Sequence, residues 1–215
     1  VAQDDARAFV WLRLAALQGL AFAQNHLGAL YYHGRGVAQS DDEAVLWFRR
    51  AAAQGDASAQ QNLGQMYRKG RGVLQSDELA LAWFYRASEQ GVASAQSLLG
   101  EAYAQGLGAK KNDALALAWF RKAALQGDAQ AQLNLGLVYK RGQGVPQSDA
   151  QAVAWFRQAA AQGLAVAQRQ LGVAYAEGLG VAPDQLRAYA WLQRAAEQDD
   201  ADAQFNLAVM LARGL

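Results

Sequence analysis

The chain contains no cysteine in its 215 residues. That absence removes disulfides, cysteine-ligated zinc and thiol nucleophiles together, and it leaves the redox compartment open. Histidine is nearly as scarce, with two residues. Neither sign of charge dominates: 20 Lys and Arg stand against 19 Asp and Glu, a formal net charge of +1. General nucleic-acid binding needs a basic face, so this balance speaks against a nucleic-acid partner. No charge run reads as a tail. No apolar run is long enough to span a membrane. No signal peptide is visible, and the chain begins on Val1 rather than Met, which reads as a processed product or an excised segment.

What the chain has in abundance is repetition. Trp11, Trp47, Trp83, Trp119, Trp155 and Trp191 are spaced 36 residues apart. The dipeptide Ala-Gln keeps the same register, from Ala23-Gln24 through Ala203-Gln204. Leu-Gly follows from Leu27-Gly28 to Leu171-Gly172 and becomes Leu207-Ala208. Tyr31, Tyr67, Tyr103, Tyr139 and Tyr175 complete the pattern, with Leu211 in the sixth place. A fixed period of this length marks a repeat architecture. The predicted organisation is one array of six units, at 1–36, 37–72, 73–108, 109–144, 145–180 and 181–215.

Each unit predicts two helices. In the second, Ser40 and Glu43 read as a capping box at the start of a helix. Ala44, Trp47, Phe48 and Ala51 then fall on one helical face. Gly55 stops that helix, and a second runs from about Asp56 to Lys69, packing through Ala59, Gln60, Leu63, Gly64 and Tyr67. Ser76, Asn112 and Ser148 offer equivalent caps. The small packing residues let helix axes approach closely. Trp and Tyr supply the larger buried area, and their polar tips need partners, expected among the recurring glutamines or neighbouring carbonyls.

The pattern A-x-A-Q-x-x-L-G-x-x-Y-x-x-G-x-G-V, followed by S-D-x-x-A-x-x-W-F-x-x-A-A-x-Q-G, resembles the Sel-one-like repeat family, which is related to the tetratricopeptide repeats. The resemblance covers the whole chain. It implies an all-α, right-handed α/α superhelical solenoid of about twelve helices, and a role in protein–protein interaction. Settings of the family include adaptors, bacterial envelope scaffolds, virulence factors and immunity proteins of toxin systems. This chain departs from the pattern at Lys110-Lys111-Asn112, at Asp199, at Ala208 and at Leu211.

No chemistry-bearing constellation stands out. Gly34-Arg35-Gly36 follows a helix rather than a strand and carries no Gly-Lys-Ser/Thr, so helix termination accounts for it. Asp4-Asp5 and Asp41-Asp42-Glu43 sit at helix starts, where carboxylates complement the helix dipole. His26 and His33 share one face with no third metal ligand at helical spacing. No metal, no cofactor and no catalytic residue is expected.

Comparing the units within the chain exposes a variable stripe. On the Ala-Gln helix of the second unit it comprises Ser58, Gln61, Asn62, Gln65, Arg68 and Lys69, all on one helical face. The candidate partner-binding residues on it are Phe22, His26, Tyr32 and His33 in the first unit. Gln61, Asn62, Arg68 and Lys69 follow in the second. Asn134, Lys140 and Arg141 come from the fourth and Arg169 from the fifth. Phe205, Asn206 and Arg213 come from the sixth. Asn62, Asn134 and Asn206 are equivalent, each followed seven residues on by Lys69, Arg141 or Arg213. An amide bonds a peptide backbone in both directions and a cation meets a carboxylate. By the resemblance, this stripe lines the concave side.

The Trp-bearing helix carries its own stripe: Arg49, Arg50, Arg86, Arg121, Lys122, Arg157 and Arg194. These read as solvating charges on the opposite side. The function expected is a non-enzymatic scaffold gripping a protein partner, either a peptide segment or a folded enzyme, as an immunity protein grips a toxin. The alternatives are an envelope component that binds polysaccharide or organises a secretion assembly, and a designed consensus array. The array opens at Val1-Ala2-Gln3, in the register of Val37-Ala38-Gln39, and closes on an Ala-Gln helix at Leu215. That leaves Leu207, Met210 and Leu211 without a following helix, so the chain is expected to continue, to dock there, or to self-associate end to end.

Overall fold

The computed structural model describes residues 4–214. Val1, Ala2, Gln3 and Leu215 lie outside the described residues. Two compact units divide the chain, residues 1–111 and 112–215. In the first, α1 spans Asp5–Leu17, α2 Ala21–His33, α3 Asp41–Ala53, α4 Ala57–Lys69, α5 Asp77–Glu89 and α6 Ala93–Gln105. In the second, α7 spans Asp113–Leu125, α8 Ala129–Arg141, α9 Asp149–Ala161, α10 Ala165–Glu177, α11 Gln185–Ala196 and α12 Ala201–Ala212. Among the described residues these twelve helices are accompanied by no strand. Each unit is three stacked pairs of a Trp helix and an Ala-Gln helix.

The Trp helices begin as the sequence predicts. The Ser40 hydroxyl accepts from Glu43 N–H at 3.3 Å, Ser76 from Leu79 at 3.1 Å and Asn112 Oδ1 from Leu115 at 3.0 Å. The capping box at Ser40 is only half made. Its backbone N–H, which a reciprocal Glu43 bond would use, donates instead to the Tyr31 carbonyl of the preceding helix at 3.0 Å. Ser76, Ser148 and Asp184 repeat that bond to Tyr67, Tyr139 and Tyr175. One residue thus caps a helix with its side chain and ties two helices together with its backbone.

The Ala-Gln helices alternate. Asp56, Asp128 and Asp200 cap α4, α8 and α12 through their carboxylates. At the equivalent places Leu20, Val92 and Leu164 provide no side-chain cap. A lost cap costs about 1 kcal/mol, so α2, α6 and α10 depend more on packing.

The core is built of Ala, Leu and Phe rather than of tryptophan. Phe84, Phe156, Leu63 and Leu171 are fully buried. Their closeness depends on glycine: a Cβ on Gly28 would stand 2.7 Å from the Phe48 ring, and Gly136 meets Phe156 in the same way. Of the tryptophans only Trp47 is buried, at 5% exposure, whereas Trp11 is 71% exposed. Trp83, Trp119, Trp155 and Trp191 are half-buried. This corrects the expectation that tryptophan supplies much of the buried area: the ring sits at the edge of the helix stack. A cation closes its outer face, with Arg86 4.5 Å from the Trp83 centroid, Lys122 5.1 Å from Trp119 and Arg194 4.7 Å from Trp191.

The polar tips find partners other than those expected. Tyr67, Tyr139 and Tyr175 hydroxyls accept from Arg49, Arg121 and Arg157 at 2.9, 2.6 and 3.1 Å. The arginine stripe therefore holds aromatic rings rather than merely solvating a surface. Trp47 Nε1 is buried without a partner. The glutamines serve the backbone and one another. Gln60 Nε2 donates to the Ala52 carbonyl at 3.4 Å and its Oε1 accepts from Gln90 at 2.9 Å. Gln24 with Gln54, Gln132 with Gln162, and Gln168 with Gln198 repeat the link at 2.7–2.9 Å.

Candidate partner-binding face

In both units the variable stripe lies on the Ala-Gln helices. The structure sorts its residues into those already committed and those available. Arg68 bonds Gln65 at 2.9 Å and reaches Glu101 at 3.4 Å. Lys140 donates to Gln170 at 2.9 Å. Arg169 is an internal staple, 3.0 Å from Asp200 and 3.4 Å from Asp202. Asn134 accepts from Gln130 at 3.2 Å. Asn62 donates to the buried Asn25 Oδ1 at 2.9 Å. Gln61 accepts from the Ser94 hydroxyl at 2.6 Å.

Other members face solvent. Phe22 and His26 are exposed and stack on each other, their ring centroids 4.0 Å apart. His33 meets the half-buried Tyr32 edge to face at 4.8 Å. Lys69, Arg141, Phe205 and Arg213 are exposed, and Asn206 is half-buried. No ion pair engages Lys69, Arg141 or Arg213 among the described residues.

Two depressions gather these side chains, one in each unit, at equivalent places in the repeat. In the first unit, α2 and α4 enclose about 210 Å³, floored by Phe48 and Met66 and walled by Tyr32, His33, Asn62 and Lys69. In the second, α10 and α12 enclose about 190 Å³, floored by Leu192 and Met210. Asn206 stands for Asn62 there, Arg213 for Lys69, Ala176 for Tyr32 and Glu177 for His33. The same position between α4 and α6 shrinks to about 10 Å³, where Arg68 and Leu98 fill it. Between α8 and α10 it is likewise about 10 Å³, closed by Lys140 and Gln170. The stripe is therefore not a uniform trough within either unit: it opens where asparagine and an unpaired cation coincide.

One supporting residue escapes the sequence pattern. Arg71, in the loop after α4, forms a bidentate pair with Asp41 at 2.8 and 2.6 Å. Its guanidinium lies 4.1 Å from the Tyr32 ring centroid and so braces one wall of the first depression. The Asp41 hydrogen bond raises the Arg71 pKa above its ordinary value. Asp41 thus does more than complement a helix dipole. The available signal was that this place is basic only in the first two units, Arg35 and Arg71, against Leu107, Gln143, Leu179 and Leu215.

These features define an α/α repeat protein with a variable face on one helix of each pair. The chain belongs to the Sel1 repeat family, whose model matches residues 1–20, 21–56, 57–92, 93–128, 129–164, 165–200 and 201–215. Those boundaries cut the same period between the two helices of each pair. The chain is similar over its full length to a protective antigen present in uropathogenic Escherichia coli strains, at 41% identity and a TM-score of 0.85. It spans 46% of that structure's chain. Over 96% of its length it is similar to a Sel1 repeat protein from Oxalobacter formigenes, at 34% identity and a TM-score of 0.84, covering 87% of that chain. Immunity protein Pa5087 from Pseudomonas aeruginosa shares the fold over 94% of this chain and 77% of its own, at 21% identity and a TM-score of 0.61. No curated protein matches the chain. No described helix is long and apolar enough to cross a membrane.

Proposed function

We propose that the chain is a non-enzymatic scaffold of six 36-residue units that binds a protein partner through the Ala-Gln helix face. The observation that carries the reading is the pair of equivalent depressions, each presenting an amide and an unpaired cation above an apolar floor. Packing alone requires neither cation. An apolar floor with a few convergent polar groups suits a protruding side chain of a partner. Membership of a repeat family that mediates protein interactions supports the same reading.

A narrower form, an immunity protein that blocks a toxin enzyme, draws support from the shared fold with Pa5087. A polysaccharide-binding role is less well supported, because the exposed phenylalanines of this face, Phe22 and Phe205, stand in different units. The test is affinity capture from a bacterial lysate with the full chain, alongside a Lys69→Glu/Arg213→Glu variant. A partner retained by the parent chain and lost by the variant supports the reading. A partner retained equally by both contradicts it.

A further inference from the structure

The two depressions share a plan but differ in charge. The second holds Glu177 opposite Arg213, with Val173, Val209 and Leu192 around them. The first has no carboxylate in its lining. His33 takes the place of Glu177 and Lys69 the place of Arg213, with Gln65 replacing Val209. Asp41 and Glu101, on the neighbouring elements α3 and α6, are already paired with Arg71 and Arg68. Asn62, which lines the depression, gives one amide hydrogen to Asn25 and keeps its carbonyl oxygen and second N–H for a further bond.

We propose that the depression between α2 and α4 is a subsite for the acidic side chain of an extended peptide segment of the partner. The inference rests on the protein-binding reading above and adds the chemistry of what is bound. The carboxylate meets Lys69 and His33, its methylenes lie on Met66 and Phe48, and Asn62 bonds the adjoining peptide group. The volume suits one side chain, being below the roughly 300–1,000 Å³ of drug-sized pockets. Tyr32 is held in place by Arg71, so the wall is formed before the ligand arrives. The second depression carries a carboxylate, Glu177, as well as Arg213 in its lining, so it has no excess of positive charge and the preference belongs to the first unit alone.

Lys69 and His33 also stand in the last turns of their helices, where basic side chains suit the dipole. The test therefore reads ligand preference rather than stability. A random dodecapeptide phage library is panned against the full chain, against His33→Glu/Lys69→Glu and against Lys110→Gln, a single-charge control in an exposed loop. Glutamate is native at position 177, so the chain already accommodates it at the equivalent place, and circular dichroism checks the helix content of each variant.

The expected result is several-fold enrichment of Asp or Glu at one peptide position for the parent chain and for Lys110→Gln, abolished in the double variant. Replacing that acid by its amide in the selected peptide should weaken binding about tenfold by fluorescence anisotropy. Enriched peptides without an acidic position overturn the subsite while leaving the broader protein-binding reading standing. Acid enrichment that survives in the double variant also overturns it. Failure to enrich any peptide on the parent chain sinks both.

Discussion

Gly64 and the Phe84 ring occupy one shared space: a Cβ on Gly64 would stand 2.6 Å from Phe84 Cε1 and 3.2 Å from the Ala80 carbonyl oxygen. This contact sets how closely α4 and α5 approach, and it recurs at Gly28 and Phe48 in the same unit. Gly64→Ala gains about 1 kcal/mol of helix propensity. It loses more, since overpacking a close contact costs about 1–3 kcal/mol and here the obstacle includes backbone. Net destabilisation of about 1 kcal/mol is expected, read as a lowered Tm. An unchanged or raised Tm would show that the seam can open without penalty.

Asp199 offers the opposite case. It is the one non-glycine with positive φ among the described residues, at 63°, in a place held elsewhere by Gly19, Gly55, Gly91, Gly127 and Gly163. The left-handed conformation costs an ordinary residue about 1–2 kcal/mol, and rather less for Asp. Asp199→Gly should therefore raise stability by about 0.5–1 kcal/mol despite the added backbone entropy of glycine. Thermal denaturation followed by circular dichroism measures it, and a fall in Tm would refute the assignment of strain.

The glutamine links predict an asymmetry. Gln60 is buried and serves both the Ala52 carbonyl and Gln90, whereas Gln90 is exposed. Gln60→Ala removes a buried side chain and both of its hydrogen bonds, although the Ala52 carbonyl keeps the Gly55 N–H, and should cost about 1–3 kcal/mol. Gln90→Ala leaves its partner's oxygen closer to solvent and should cost less than half as much. Equal losses from the two changes would mean that the links act only through the helix surface.

Tyr175 gives a pH-dependent signal. Burial pushes its pKa up, but hydrogen bonds from Arg187 and Arg157 outweigh it, and the phenol ends below its ordinary value. Because the folded value is depressed, the group contributes nothing at neutral pH. Its stabilisation grows as pH rises through the folded value and is complete above the unfolded value of about 10. Ultraviolet difference titration should show one early-ionising tyrosine, moved to higher pH by Arg187→Gln. An unchanged titration curve would argue that the guanidinium does not govern it.

Much of this architecture is legible in one chain because each repeat restates the rule. The period, the caps at Ser40, Ser76 and Asn112, and the glycine stops all follow from local backbone chemistry. The tryptophans mislead because helical phase reports which way a residue faces, not how far the next helix extends over it. The stripe was visible as variation, but which of its members were free was not. Arg68, Lys140 and Arg169 find their partners in the following pair, at sequence separations of about thirty, which a pattern read along one helix does not contain. Asn62, proposed from sequence as a free amide, holds the buried Asn25, so truncating it disturbs the fold as well as the face.

The central claim is that affinity lies on the Ala-Gln helices and not on the arginine-bearing Trp helices. Calorimetric titration of the captured partner against Lys69→Glu/Arg213→Glu and against Arg49→Ala/Arg121→Ala separates the two. The first pair should weaken binding at least about tenfold, or 1.4 kcal/mol, with Tm little changed because both side chains are exposed and make no ion pair. The second pair loses two hydrogen bonds to Tyr67 and Tyr139 and should leave affinity within about twofold. Full affinity in the first pair together with loss of binding in the second would place the partner on the Trp helices and contradict the account.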